Sequence, residues 1–397
     1  MKPTIAVALL SLSVFAVGSP AVIAQGTARS LDLDPSVRAA GMGGASIAVF
    51  WGDDGNHWAN PALLGYQRGL RYEWGKTRLV PGLAADVSFE TELMKMGGGG
   101  LGFVASGPPF AGVGGLRVDY GESEITDSSG NPIGTITSFE DIEVWGFGVS
   151  LAQLFEGVSR LCGRAVPDWS RHGDVSLGLN SKHIQMALGP GISGEATARD
   201  IGLLVRVTPL DWTRDEDRIP LRLDVAFGSS VLNQNDPTIR FDSNQPPTPT
   251  SRHERNGVGL RAGLGLPTAV REGLESRSLG WLAPGLEPMI AVAYAYDNAD
   301  VSAGGASPSY ETTGQGFEVT LGNIVSLRRG SYEDKTGYID DTTWGWSLGF
   351  RLGEFGGIRY DRAEFPQAAN SGLEDLDREA FSAWLDPFAL WSVARPK

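Results

Sequence analysis

From Leu70 onward apolar and non-apolar residues alternate with period two, and glycine dominates the second set. Leu221, Leu223, Val225 and Phe227 alternate with Arg222, Asp224, Ala226 and Gly228. Val258, Leu260, Ala262 and Leu264 alternate with Gly257, Gly259, Arg261 and Gly263. Trp344, Trp346, Leu348, Phe350 and Leu352 alternate with Gly345, Ser347, Gly349, Arg351 and Gly353, and Trp145, Phe147, Val149 and Leu151 with Gly146, Gly148 and Ser150. Successive side chains of a strand point to opposite faces, so this spacing predicts strands with one apolar face. The same signature recurs in Leu70–Trp74, Leu116–Tyr120, Val175–Leu179, Ile201–Val207, Ile290–Tyr296 and Phe317–Leu321.

A soluble sandwich alternates as well, but its outer face is ordinarily Thr, Ser, Lys and Glu with modest glycine. Here the second face is glycine with scattered Arg and Asp, as expected of strands lining a crowded, polar lumen. Aromatics at segment ends (Tyr72, Trp74, Tyr120, Trp145, Tyr294, Tyr296, Trp344) match the interfacial girdles of membrane barrels. The fold class read from the pattern is all-β: a transmembrane antiparallel barrel of about twelve to fourteen strands. The count is soft around Ala84–Ser106 and after Glu364. Gly121–Glu140, Val231–Asn256 and Asp297–Gln315 read as long polar connections, and a provisional strand count puts them on different ends of the barrel. Leu151–Arg171 reads as a short helix with Cys162 in a connection.

Met1–Gln25 carries Lys2, the apolar run Ile5–Val17 and small residues ending Val22-Ile23-Ala24, the pattern of a secretory signal peptide. The domain reading is therefore 1–24 signal peptide, 25–67 plug segment and 68–397 barrel. No later apolar run is long enough to cross a bilayer as a helix, which leaves an exported soluble protein or an outer-membrane barrel. The net charge of −14 disfavours nucleic acid. One cysteine, Cys162, excludes an intramolecular disulfide framework.

Ahead of the strands stands Arg38–Gly65, RAAGMGGASIAVFWGDDGNHWANPALLG. Gly41, Gly43 and Gly44 flank Met42 and let the backbone take positive φ or pass close to another wall. Asp53 and Asp54 open a polar turn, and Asn60-Pro61-Ala62 sets a rigid bend. The order GMGGA, acidic pair, Trp and NPALL resembles the N-terminal signature of the PorV/PorQ outer-membrane family, which is related to the FadL-type long-chain fatty-acid transporters. Val175–Leu204 adds a similar hairpin through Gly178, Lys182, Asp200 and Gly202. The resemblance implies fourteen strands with the Gly/Asn-Pro stretch as a plug in the lumen. The chain departs from the barrel pattern in running past Trp391 to SVARPK instead of finishing on an aromatic.

No catalytic constellation is present. His57, His172, His183 and His253 are scattered, the Gly-x-Ser-x-Gly string at Gly345–Gly349 falls inside an alternating strand run and not at a strand-to-helix elbow, and Gly97–Gly100 lacks a following Gly-Lys-Ser/Thr. Asp53-Asp54-Gly55-Asn56 lacks the spaced ligands of an EF-hand, so neither metal nor cofactor is expected. Lys182, Asp200, Arg222, Asp224, Arg261 and Arg351 are expected to face the lumen, as structural bridges. The function read here is a non-enzymatic outer-membrane barrel whose partners are lipid and either secretion-system components or hydrophobic small molecules. A PorV likeness implies a role in type IX secretion and surface attachment; a FadL likeness implies diffusion of hydrophobic molecules through the wall. The alternative is a non-transporting β-domain that binds a partner through acidic loops.

Overall fold

The structure, a computed structural model, describes residues 28–387 and 389 apart from 53–54, 85, 108–112, 127–128, 130, 165–166, 190, 214–218, 242–245, 303–308, 370 and 388. The signal-peptide reading, Asp53, Asp54 and Trp391 lie outside the described residues.

The strands are β1 Gly69–Arg78, β2 Val87–Gly98, β3 Leu101–Ala105, β4 Gly115–Thr126, β5 Pro132–Ser150, β6 Gly173–Gly189, β7 Ile192–Asp211, β8 Leu221–Leu232, β9 Thr238–Ile239 and β10 Thr248–Pro249. They continue as β11 Arg252–Leu264, β12 Ile290–Ser302, β13 Tyr310–Leu321, β14 Val325–Asp334, β15 Ile339–Leu352, β16 Gly356–Phe365 and β17 Leu376–Leu385. Each neighbouring wall pair is antiparallel, and β17 returns to β1 with Leu70 opposite Leu385. β3 and β4 share one place in the ring, because both pair with β2 and both with β5. The sheet is thus a closed barrel of 14 strand positions. Closure leaves no open edge, so every wall strand has a partner on both sides.

The alternation sorts the faces as the sequence predicts. On β8, Val225 and Phe227 are 37% and 45% exposed while Asp224 and Ala226 are buried. Trp344, Leu348, Phe350 and Leu352 point outward, and Ser347 inward. Outward apolar residues form a belt around the half of the barrel where β1 begins and β17 ends, here called the proximal half. Distal of it the outward face turns polar: Lys76, Glu92, Asp141, Gln185, Thr197, Glu254, Asn298 and Glu364. Tyr120 departs from the girdle reading. It is an inward position at the distal mouth, where its hydroxyl bonds buried Glu140 at 2.6 Å.

The connections also need correction. Gly121–Glu140, Val231–Asn256 and Asp297–Gln315 all lie at the distal end, and most of their residues are strand. The alternation is hidden there because polar residues dominate these stretches, so period two leaves little hydropathy signal. The soft regions resolve as β2 with β3 and as β17. Leu151–Arg171 does contain a helix, α2 (Leu151–Leu161), capped by Cys162 and followed by α3 (Trp169–His172). The plug segment holds α1 (Val37–Gly41) and the two-turn 3-10 helix Pro61–Tyr66.

Candidate functional site: a seated plug, an apolar lumen patch and an interrupted strand

Residues 28–67 run inside the barrel and are largely buried; Met42, Ala45, Ile47, Ala48, Ala59, Asn60 and Ala62 have no exposed surface. The wall glycines explain how they fit. A Cβ at Gly178 would overlap Pro61, one at Gly228 would overlap the Ile47 carbonyl, and one at Gly314 the Gly43 carbonyl. Gly102, Gly148, Gly202, Gly316 and Gly330 meet the plug in the same way. The glycine face therefore serves as a seat: without Cβ atoms, the wall backbone approaches the plug backbone directly. Within the plug, Gly43 needs both its positive φ of 69° and the missing Cβ, since its neighbours are the Ser331 and Gln315 carbonyls. Gly44 needs only the positive φ, because its nearest neighbour is a Tyr332 ring carbon at 3.6 Å.

Directional bonds fix the plug on the side formed by β11–β17. Arg38 donates to both carboxylate oxygens of Glu318, at 2.5 and 2.9 Å, and to the Trp51 carbonyl at 2.7 Å. Arg328 joins Glu318 (2.7 Å) to Asp361 (2.8 Å). Asp297 accepts from the amides of Ser46 and Ile47 at 2.7 and 2.9 Å and pairs with Arg255 at 3.0 Å. Asn60, held extended before Pro61, accepts from the Ala62 amide and donates to the Ile47 and Leu203 carbonyls. One amide thereby ties the bend of the plug both to itself and to β7.

The expected lumen charges lie in three separate places. Lys182 and Asp200 form a fully buried pair at 2.8 Å, with the Lys182 ammonium 3.8 Å from the Trp58 ring centroid. Arg222 and Asp224 pair at 3.0 Å near the proximal rim, with Arg206 beside them. Arg261 and Arg351 border a cavity of about 80 Å³ beside Arg38 and Glu318, and Arg351 lies over the Trp384 ring. Sequence reading passed over Arg38, Asp297, Glu318, Arg328 and Asp361. Each of the last four occupies an inward position of a strand (Glu318 lies between Phe317 and Val319), so alternation carried the signal.

The lumen is not uniformly polar. Over the distal half of β2–β7 the inward residues include Phe89, Leu93, Val104, Leu116, Val118, Ile142, Val144, Ile184 and Met186, all buried in one cluster with Leu31 and Trp58 of the plug, with Glu140 and Lys182 buried among them. The distal connection between β8 and β11 folds over this patch through Ile239, which is fully buried.

Beside the patch the wall is interrupted. Met94 pairs with Ala105 but Glu92 with Gly115, and across the ring Trp145 pairs with Ala105 but Ile142 with Leu116. Leaving out residues 107–114 would restore register with both neighbours at once. The insertion is even-numbered, so Val104 and Leu116 keep the same inward face. Ser106 closes the lower side through its amide to the Val144 carbonyl (3.0 Å) and its Oγ to the Val144 amide (2.9 Å). The Gly107 amide bonds the Val113 carbonyl at 2.8 Å, and the Gly114 amide bonds outward-facing Glu92 at 2.7 Å. Outside, the interruption falls where the belt (Met94, Phe103, Trp145) gives way to Glu92, Arg117, Asp141 and Glu143.

Plug residue His57 is buried with neither ring nitrogen hydrogen-bonded, and it borders a cavity of about 60 Å³ with Asn56, Arg71, Glu73 and Lys95. Burial, with the Lys95 and Lys182 charges nearby, holds the imidazole well below its ordinary pKa, so it is neutral. Cavities of this size hold a few waters.

No protein-family model and no curated protein matches the chain. Among solved structures it is similar to a Pseudomonas aeruginosa FadL homologue, at TM-score 0.38 and 8% identity over 88% of this chain and 98% of that one. It is similar also to the Pseudomonas putida toluene transporter TodX, at TM-score 0.37 and 10% identity over 87% and 95%. At such scores the fold rests on the strand ladder itself, which closes without reference to either.

Proposed function

We propose that the chain is an outer-membrane barrel, delivered by a cleaved signal peptide, that passes hydrophobic small molecules between its lumen and the membrane through the interruption at residues 107–114. The carrying observation is the coincidence of three features: an apolar lumen patch, an eight-residue insertion in the ladder directly beside it, and a belt edge outside it. A hydrophobic guest would exchange one apolar surface for another along that route. A passage along the barrel axis would take it past Arg38, Glu318 and Arg328 instead. The belt would sit in lipid, with the proximal end toward the periplasm and the polar extension outside. The Gly41–Ala62 stretch would act as the gate, since it covers the patch from within.

The test is excision of residues 107–114, joining Ser106 to Gly115. Uptake of a monoaromatic hydrocarbon by cells expressing the chain should fall to background, while the barrel still assembles and stays heat-modifiable on gels. Unchanged uptake by the assembled, excised barrel would remove the wall route. The PorV/PorQ likeness of the plug supports a second reading, a partner in protein secretion. Loss of surface-attached proteins on deletion of the gene, with hydrocarbon uptake unaffected, would favour it.

A further inference from the structure

At the proximal end, the connection between β5 and β6 has its polarity reversed. A helix packed on a soluble protein buries its apolar stripe and exposes the rest. In α2 the buried residues are Glu156 and Ser159. Glu156 accepts from the Ser170 amide and hydroxyl at 2.6 and 2.8 Å. The other side carries Leu151, Phe155 and Val158, spaced four and three residues apart and hence on one face, at 46%, 48% and 51% exposure. Leu161 follows at 89%. The Phe155 ring stacks on half-exposed Trp169, with centroids 5.0 Å apart and planes at 13°.

Polar inside and apolar outside is the pattern of the barrel wall, and α2 adjoins it. Its first residue follows Ser150 of β5, the Ala152 amide bonds Asp174 at the base of β6, and Val175 and Leu177 stand outward just above. The apolar face is thus continuous with the belt. Arg160, 65% exposed and paired with Asp168, and exposed Arg164 lie at its C-terminal end. Eleven residues reach about 16 Å as a helix, too short to cross a bilayer. The other long proximal connection repeats the feature: in α4 (Thr268–Glu275) no residue is buried, and Val270, Leu279 and Trp281 are exposed.

We infer that α2 with Trp169 is an interfacial foot, lying in the plane of the periplasmic leaflet with phospholipid as its partner. Acyl chains cover Leu151, Phe155, Val158 and Leu161; Trp169 sits at headgroup level, and Arg160 and Arg164 meet lipid phosphates. The foot fixes how deep the barrel sits. This rests on the membrane reading above, so its test must tell the two apart.

Cys162, the chain's one cysteine and exposed, caps α2 and serves as a native probe. The full-length barrel is labelled there with a small fluorophore and placed in nanodiscs of phosphatidylglycerol and phosphatidylethanolamine containing lipids with a shallow or a deep nitroxide quencher. In a Cys162→Ser background, Leu348→Cys reports the belt and Lys335→Cys the distal turn. The Cys162 label should be quenched by the shallow nitroxide several-fold more than the Lys335→Cys label, and the Leu348→Cys label by the deep one. Val158→Asp with Leu161→Asp should remove the Cys162 quenching while heat-modifiability persists. Quenching at the belt with none at Cys162 overturns the foot alone and leaves the face to a periplasmic protein. No quenching at the belt overturns the membrane reading itself.

Discussion

Between β2 and β7, the distal inside of the barrel carries Phe89, Leu93, Val104, Ile142 and Ile184; between β12 and β16 the inside at belt level carries Asp297, Glu318, Arg328 and Asp361. The plug touches both walls and is held by each in a different way. Against the charged wall it is tied by bonds with direction, Arg38 to Glu318 and the Ser46 and Ile47 amides to Asp297. Against the apolar wall Leu31 and Trp58 rest on side chains that have no directional preference, and the bonds made there join plug backbone to single wall side chains, the Ser30 amide to Glu140 and the Asn180 amide to the His57 carbonyl. Parting the plug from the charged wall would break the buried Arg38–Glu318 ion pair, which is costly; parting it from the apolar wall costs those bonds and contact area, and a hydrophobic guest can replace the area. If the plug moves, it should hinge on the charged wall and lift from the apolar one.

The sharpest way to break that contrast is Arg328→Ala. It takes one of two arginines from Glu318, which keeps Arg38, and leaves Asp361 to Arg359, and breaking a buried ion network costs up to about 3–5 kcal/mol. The urea midpoint of the folded barrel in detergent should fall accordingly. A loss under about 1 kcal/mol would mean that water reaches the network and that this wall is no firmer an anchor than the other.

A second substitution separates seating from anchoring. Gly178→Val drives a side chain into Pro61, and overpacking costs about 1–3 kcal/mol or more. Gly134, on the distal part of β5, has nothing within 4 Å of a Cβ, so Gly134→Ala should be silent. Protease nicking of the plug in the assembled barrel reads the difference. Equal protection in both variants would show that the glycine face tolerates side chains. The apolar wall should be the forgiving one: Leu93→Met keeps volume and should cost under about 1.5 kcal/mol, with uptake of a hydrophobic probe retained.

How far such contrasts were legible in the sequence differs between the two walls. Alternation alone assigned Arg222, Asp224, Arg261 and Arg351 to the inside, because charged residues interrupting an apolar face announce the second face. The apolar patch was invisible to the same reasoning. Where a strand is apolar inside and polar outside, as at Leu116, Val118 and Ile142, period two is the same but the faces are exchanged, so only the ring can say which is which. The interruption was hidden for another reason: the even number of residues in 107–114 leaves no slip in the pattern. The plug motif was legible through its glycines and its Asn-Pro bend. Its partners were not, because Asp297 and Glu318 lie more than 240 residues away in sequence.

The smallest expected effect concerns His57, which lies between the two walls on the plug. It is buried, neutral and without hydrogen bonds, with Lys95 and Lys182 near it and Glu73, Arg71 and Asn56 around the adjoining cavity. Its folded pKa is depressed below the ordinary value of 6.5, so the unseated plug binds a proton more readily than the seated one. Seating is therefore unaffected above about pH 7 and weakens as pH falls below 6.5, by up to about 1.4 kcal/mol per pH unit until the folded pKa is reached. Lowering the pH from 7.5 to about 5.5 should speed protease nicking of the plug in the wild-type barrel severalfold. His57→Gln, which cannot titrate, should show a flat profile over that range. A profile that keeps its slope in His57→Gln would move the sensitivity to another group, and the imidazole would then be only a space-filling group between the walls.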